Sequence, residues 1–193
     1  QRHLCKMKNS FTFRQFVIEH DRCAMKVGTD GVLLGAWADL SGSSLILDIG
    51  CGSGLIALMA AQRAPYASVW GIDVDAPSVG QARQNVLNSP FSERIQILEC
   101  DVRTYSPGIL FNHILCNPPF YTEHTLPPDD ARMRARHTAS LSLECLLENA
   151  GRILAAKGTF SLILPYLTAE RFITHALAKG WYAVRTCQVY TVA

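Results

Sequence analysis

An apolar run, Leu45–Ile49, enters a stretch with glycine at alternate positions, Gly50, Gly52 and Gly54, and leaves it as Leu55–Arg63, where Leu55, Leu58 and Met59 recur at helical spacing. This order of strand, glycine turn and helix constrains the fold more than any other feature. Closely spaced glycines predict a tight turn whose backbone can approach a ligand. The helix behind the turn offers it N–H groups and the positive end of a dipole.

The alternation continues along the chain. The pattern predicts a strand over 68–74 that brings Asp73 to its end, and a polar helix over 77–88 entered through Asp75 as N-cap. Strands follow over 95–100 and 113–116, the latter running into Asn117. A polar loop over 121–140 holds Pro127-Pro128-Asp129-Asp130 and a basic cluster, Arg132, Arg134, Arg136 and His137; loops of that length inside a compact domain usually serve function. An amphipathic helix is predicted over 142–157, with Leu143, Leu146, Leu147, Ala150, Ile153 and Leu154 inward and Gly158 as its stop. A strand over 159–164, a helix over 169–179 stopped by Gly180, and a strand over 182–192 complete the reading. Alternating strands and helices imply an α/β fold of Rossmann-like type, a mostly parallel twisted sheet flanked by helices.

Length and composition bound the rest. A chain of 193 residues is expected to form a single domain, 1–193, with residues 1–40 as a covering segment and 41–193 as the core. No apolar run reaches the length of a membrane span. Seven scattered cysteines, with no Cys-x-x-Cys pair, suit a reducing cytoplasm. His20 and Cys23 stand alone as a ligand pair, so no metal is expected. The net charge of +2 does not by itself announce a nucleic-acid partner. Its distribution says more: Arg2, Lys6, Lys8, Arg14, Arg22 and Lys26 face only Glu19 and Asp21 within the first 26 residues. That cluster and Arg132, Arg134 and Arg136 are either solvated faces or phosphate contacts. A monomer is the default expectation.

The turn itself suggests a ligand. A nicotinamide site uses the same physics, but here the spacing is Gly-x-Gly-x-Gly, and Asp48 lies just before the first glycine. A carboxylate there would repel a pyrophosphate and would suit the ammonium and sulfonium of S-adenosylmethionine. Asp73, 23 residues beyond Gly50, can accept from both ribose hydroxyls. Asp101 can accept from the adenine amino group of that cofactor, with the Val102 N–H facing a ring nitrogen.

Asn117-Pro118-Pro119-Phe120 suggests the second half of the chemistry. An exocyclic amine on adenine is a poor nucleophile because its lone pair is delocalised into the ring. Two acceptors aimed at its hydrogens favour a tetrahedral nitrogen with a directed lone pair. The Asn117 side-chain oxygen and the Pro118 carbonyl can supply them, pre-positioned by proline's fixed φ and its restriction of the preceding residue. Phe120 offers a face for stacking a base.

With these motifs the chain resembles class I S-adenosylmethionine methyltransferases of the Asn-Pro-Pro-(Tyr/Phe) group throughout its length. Three more specific segments are Phe11-Thr12-Phe13-Arg14-Gln15-Phe16, His20-Asp21-Arg22-Cys23-Ala24-Met25-Lys26-Val27-Gly28-Thr29-Asp30-Gly31 and Leu33-Leu34-Gly35-Ala36-Trp37. They are similar to those of bacterial enzymes that methylate adenine N6 in tRNA. The resemblance implies transfer to the base just 3′ of the anticodon of tRNA1(Val). It also implies that Lys26 and Thr29 line the methionine end of the cofactor. Asp48, Gly50, Gly52 and Gly54 would form its first motif, Asp73 the ribose contact, Asp101 and Val102 the adenine contact, and Asn117 to Phe120 the catalytic motif. It further implies a last strand antiparallel to the sixth, expected to be missing here because the sequence stops at Ala193. A protein glutamine amide and guanine N2 in ribosomal RNA are alternative acceptors, and a non-catalytic RNA-binding role is a further alternative.

Overall fold

The computed structural model describes residues 10–23, 25–119 and 141–190, which form seven strands and five α-helices. Two compact units are present. One is built on residues up to Pro118 together with Ala150–Ile163; the other takes the described parts of Pro119–Asn149 and Leu164–Ala193.

The first unit opens with an antiparallel hairpin, β1 (Ser10–Thr12) and β2 (Val17–Glu19), followed by helix α1 (Thr29–Trp37). Then come β3 (Leu45–Ile49), α2 (Leu55–Arg63), β4 (Ser68–Asp73), α3 (Ala76–Leu87), β5 (Ile95–Glu99) and β6 (Phe111–Cys116). Helix α4 (Leu143–Ile153) begins in the second unit, and its last residues lead into β7 (Leu154–Leu162) in the first. The five strands from β3 to β7 form one parallel sheet in the order β5-β4-β3-β6-β7. The α/β fold expected from sequence is borne out.

The centre of that sheet is mostly apolar because both its faces are buried, with Asp48 in β3 and His113 in β6 as buried polar exceptions. Ile46, Leu47, Val69, Ile114 and Leu115 are fully buried. Helix α2 closes against the sheet through Ala57, Leu58, Ala60 and Ala61, also fully buried. Arg94 finishes that helix from outside. Its guanidinium donates to the carbonyls of Ala61 (2.7 Å), Ala64 (3.0 Å) and Ala67 (2.9 Å), neutralising the negative end of the helix. Asp75 caps α3 as predicted, its Oδ2 accepting from the Ser78 N–H at 3.1 Å.

Two expected elements differ. The helix predicted over 142–157 stops at Ile153, and Leu154 joins the sheet opposite Phe111. The next pair is His113 with Thr159, so the chain between them bulges, with Lys157 at φ 64°. Gly158 is therefore a bulge residue rather than a helix stop. A Cβ there would lie 2.8 Å from Leu154 Cγ and 2.9 Å from the Ala155 oxygen. The strand predicted over 182–192 is absent from its described part, 182–190, where every residue is exposed. Strand propensity acts only where a neighbour completes the ladder, and no described strand pairs with this segment.

In the second unit, α5 (Tyr166–Ala178) begins three residues before the predicted helix and ends one residue short of it, with Gly180 just past its cap, Lys179. The Gly180 N–H reaches Leu177 O and the Trp181 N–H reaches Ala176 O, with Gly180 at φ 82°. Helix α1 and the hairpin were not expected from sequence. Gly31 and Gly35 depress the helix propensity of α1, and strands of three residues carry almost no periodicity.

Candidate active site

Strand order places the predicted motifs together. From β3 the chain crosses to β4 on one side, and β6 later enters on the other. The carboxyl ends of β3 and β6 thus form the switch point at which open α/β sheets hold ligands. Ile49 pairs with Cys116 on one side and with Ile72 on the other. Gly50 and Asn117 consequently follow, and Asp73 closes, three aligned strands about 5 Å apart from one to the next. Asp101 follows β5 on the same edge, since Asp73 pairs with Glu99.

The glycine turn is held from below and left open above. The Gly50 and Cys51 N–H groups both donate to Ile72 O, at 2.9 and 3.0 Å. Gly50, Gly52 and Gly54 have φ of 70°, 51° and 80°, where a side chain would be strained. A Cβ on Gly50 or Gly52 would meet nothing within 4 Å, so the space beyond the backbone belongs to a ligand-sized approach. Gly54 instead faces α3, where an added Cβ would lie 3.3 Å from the Ala82 Cβ. Asp73 braces the turn: its Oδ2 accepts from the Gly52 N–H at 2.8 Å and its Oδ1 from the Asp75 N–H at 2.9 Å.

Asp48 is completely buried. Its Oδ2 accepts from the N–H of Ala57 in the first turn of α2 at 3.1 Å, while Oδ1 has no partner among the described residues. Burial pushes its carboxyl up to about 7; the Ala57 hydrogen bond opposes this and the Asp73 charge adds to it. The flanking thiols of Cys51 and Cys116 are buried and pushed well above the usual range, which makes them poor nucleophiles.

Asn117 shares the same property in neutral form. Its Oδ1 is sealed from solvent and has no partner among the described residues. Such an acceptor costs about 1–3 kcal/mol unless a ligand completes it. Pro118 is buried and Pro119 exposed. Helix α1 crosses close by: a Cβ on Gly31 would lie 3.1 Å from Leu55 Cδ2 and 3.9 Å from Asn117 Nδ2. Lys26 and Thr29, at the approach to and start of α1, are exposed.

Asp101 carries a load that the sequence did not reveal. Arg103 donates through Nε to both its carboxylate oxygens, at 3.0 and 2.8 Å, and holds its pKa below the usual carboxylate range. A carboxylate has about four acceptor positions, so a further donor can still be taken. The Val102 side chain is buried and its carbonyl accepts from Arg152 at 3.1 Å. Phe120, Arg132, Arg134 and Arg136 lie outside the described residues.

Asn85 escapes sequence reasoning, in which His20 figures only as an isolated ligand candidate and as part of a family segment. The buried Asn85 on α3 bonds both Glu19 and Ser53, and His20 accepts the Val27 N–H on Nδ1 at 3.0 Å. Only the buried polar stripe Ser78, Gln81, Asn85 on α3, at helical spacing, could have drawn attention to the first.

The methyltransferase small domain family matches residues 28–180. A Tolumonas auensis protein named tRNA1(Val) (adenine(37)-N6)-methyltransferase is 44% identical over 184 residues, covering 95% of this chain and 77% of that protein. A Bacteroides thetaiotaomicron protein of the same name is 44% identical over 182 residues, with 94% and 77% covered. The chain belongs to this methyltransferase family. Among solved structures, a predicted O-methyltransferase of Agrobacterium tumefaciens is similar with a TM-score of 0.57 at 25% identity, covering 77% of this chain and 67% of that one.

Membership makes S-adenosylmethionine the cofactor, and the residues present suit it. The open face over Gly50 and Gly52, the Asp48 Oδ1 with no partner among the described residues and the half-buried Asp73 provide a backbone cradle flanked by carboxylates. A cationic, hydroxyl-bearing ligand matches that donor set. A separate cavity in the second unit, lined by Leu143, Glu144, Thr168, Arg171, Phe172 and His175, measures about 150 Å³ and contains none of these residues.

Proposed function

We propose that the protein methylates N6 of adenine in tRNA, at position 37 beside the anticodon of tRNA1(Val), with S-adenosylmethionine as methyl donor. The observation that carries this reading is the adjacency of two strand ends, the glycine turn after β3 and Asn117 after β6, joined by the Ile49–Cys116 pairing. The names of the relatives supply the acceptor.

Asp73 would hold the ribose, Asp101 and the Val102 N–H the adenine, and Lys26, Thr29 and Asp48 the methionine end of the cofactor. Bound, that cofactor supplies an electrophilic methyl group on a sulfonium. Asn117 Oδ1 and the Pro118 carbonyl accept the two hydrogens of the target amine, directing its lone pair. Phe120 stacks on the flipped base. Orientation and placed acceptors are the main catalytic contributions, since the methylated nitrogen loses its extra proton readily to water. An anticodon-loop adenine suits such a site because it is single-stranded and easily splayed out. Arg132, Arg134 and Arg136 would contact phosphates. A cytoplasmic location follows from a tRNA substrate; among the described residues no helix is long and apolar enough to cross a membrane.

The test is methyl transfer from labelled S-adenosylmethionine to unmodified tRNA1(Val), with nucleoside analysis and Asn117→Ala as control. N6-methyladenosine from the wild type alone is expected. Label on a release factor or on guanine in ribosomal RNA, with none on tRNA, would overturn the acceptor. In the same assay, alanine at Arg132, Arg134 and Arg136 should weaken tRNA binding and flatten its salt dependence.

A further inference from the structure

Helix α3 buries polar side chains where a helix on a sheet usually buries apolar ones. Ser78, Gln81 and Asn85 are all nearly inaccessible. Ser78 belongs to the Asp75 cap, but Asn85 serves neither cap nor core. Its Nδ2 donates to Glu19 O and to Ser53 O, both at 2.8 Å, and its Oδ1 accepts from the Glu19 N–H at 3.0 Å. Both amide hydrogens and one acceptor site are therefore used. The network also fixes which side-chain atom is nitrogen, since a flip would set two carbonyls against an oxygen.

These partners lie far apart in sequence and meet only here. Glu19 ends β2 of the N-terminal hairpin, and Ser53 sits between Gly52 and Gly54 in the turn. The next residue after Glu19 is His20, which holds the Val27 N–H just before α1 begins. Gly31 of α1 in turn packs beside Asn117. We infer that Asn85 is a positioning residue: it sets the distance between the glycine turn and the Lys26–Thr29 approach to α1, so that both walls of the cofactor site form together. This rests on the reading of the turn as the cofactor site.

No other side chain does the same. Leucine of similar size would leave Glu19 and Ser53 polar groups buried and unpaired, and aspartate cannot donate. Phe16 and Ile18 anchor the hairpin in the core independently, so loss of Asn85 should not release it.

The test combines Asn85→Ala with amide hydrogen exchange on both proteins. In the variant, Kd and KM for S-adenosylmethionine should rise about tenfold while kcat stays within about twofold. In the wild type, S-adenosylmethionine should slow exchange at the Glu19 amide as well as at Gly52; in Asn85→Ala the slowing at Glu19 should vanish. A lower Tm with unchanged cofactor Kd would make Asn85 merely structural and overturn the inference. So would wild-type slowing confined to the turn, a measurement that needs no variant to fold. Absence of any cofactor binding by the wild type would instead sink the reading of the turn, and this inference with it.

Discussion

The carboxylate of Asp48 accepts the N–H of Ala57 from inside the sheet, so that the acid preceding the glycine turn also begins the helix that follows it. Its second oxygen is buried without a described partner, and its carboxyl is raised from 3.8 to about 7. The cofactor-free native state therefore holds this proton more tightly than the unfolded chain does. The resulting stability is whole below about pH 4 and is lost as pH rises through about 7.

Asp48→Asn keeps an acceptor for Ala57 but never ionises. Its stability without cofactor should gain on the wild type by about 2–3 kcal/mol as pH goes from 5 to 8, read by urea unfolding. A difference that stays constant with pH would contradict the assignment.

Asn117 holds a buried acceptor that has no partner among the described residues, as functional sites often do. Asn117→Ala should cut kcat by at least about a hundredfold, with S-adenosylmethionine affinity within about threefold. Calorimetric melting should show equal or higher stability, because truncation removes a buried group that had no described partner. A clear loss of stability would mean that Asn117 is structural.

Gly31 separates two effects of volume. An alanine there is tight only against Leu55 Cδ2 at 3.1 Å, a side-chain end that can yield, and touches Asn117 Nδ2 at an ordinary 3.9 Å, so Gly31→Ala should change stability by less than about 1 kcal/mol. Valine adds atoms toward Asn117, and Gly31→Val should lower kcat more than it raises the KM for S-adenosylmethionine. Equal kinetics for both variants would show that α1 does not position Asn117.

His113 is buried between β6 and β7, its Nε2 2.9 Å from Ser161 Oγ and its Nδ1 2.8 Å from Thr159 Oγ1. Burial lowers its pKa from 6.5 to about 4; Asp39 opposes this and Arg63 adds to it. The native state prefers the neutral ring, so its contribution is whole above about pH 6.5 and is lost as pH falls through about 4. Urea unfolding at pH 7 and pH 5 should show the wild type losing about 2 kcal/mol more than His113→Gln over that interval. Parallel losses would refute it.

What the chain alone determined is local. Leu45–Ile49, Leu55–Arg63 and the Asp75 cap were legible because each depends on neighbours a few residues away, through periodicity, glycine spacing or a capping side chain. The Asn-Pro-Pro motif was legible for the same reason. Tertiary structure decided everything that depends on which strands lie side by side. Leu154 left its helix because Phe111, 43 residues earlier, offered it a ladder position, whereas 182–190 pairs with no described strand and forms none. Strand order laid the Asp73 carboxylate against the Gly52 N–H, 21 residues away in sequence. It also let one buried asparagine on α3 join the hairpin to the glycine turn. A hydrogen bond between residues 32 or 66 apart in sequence leaves no period in the chain, because its partner is chosen by the packing of the whole sheet.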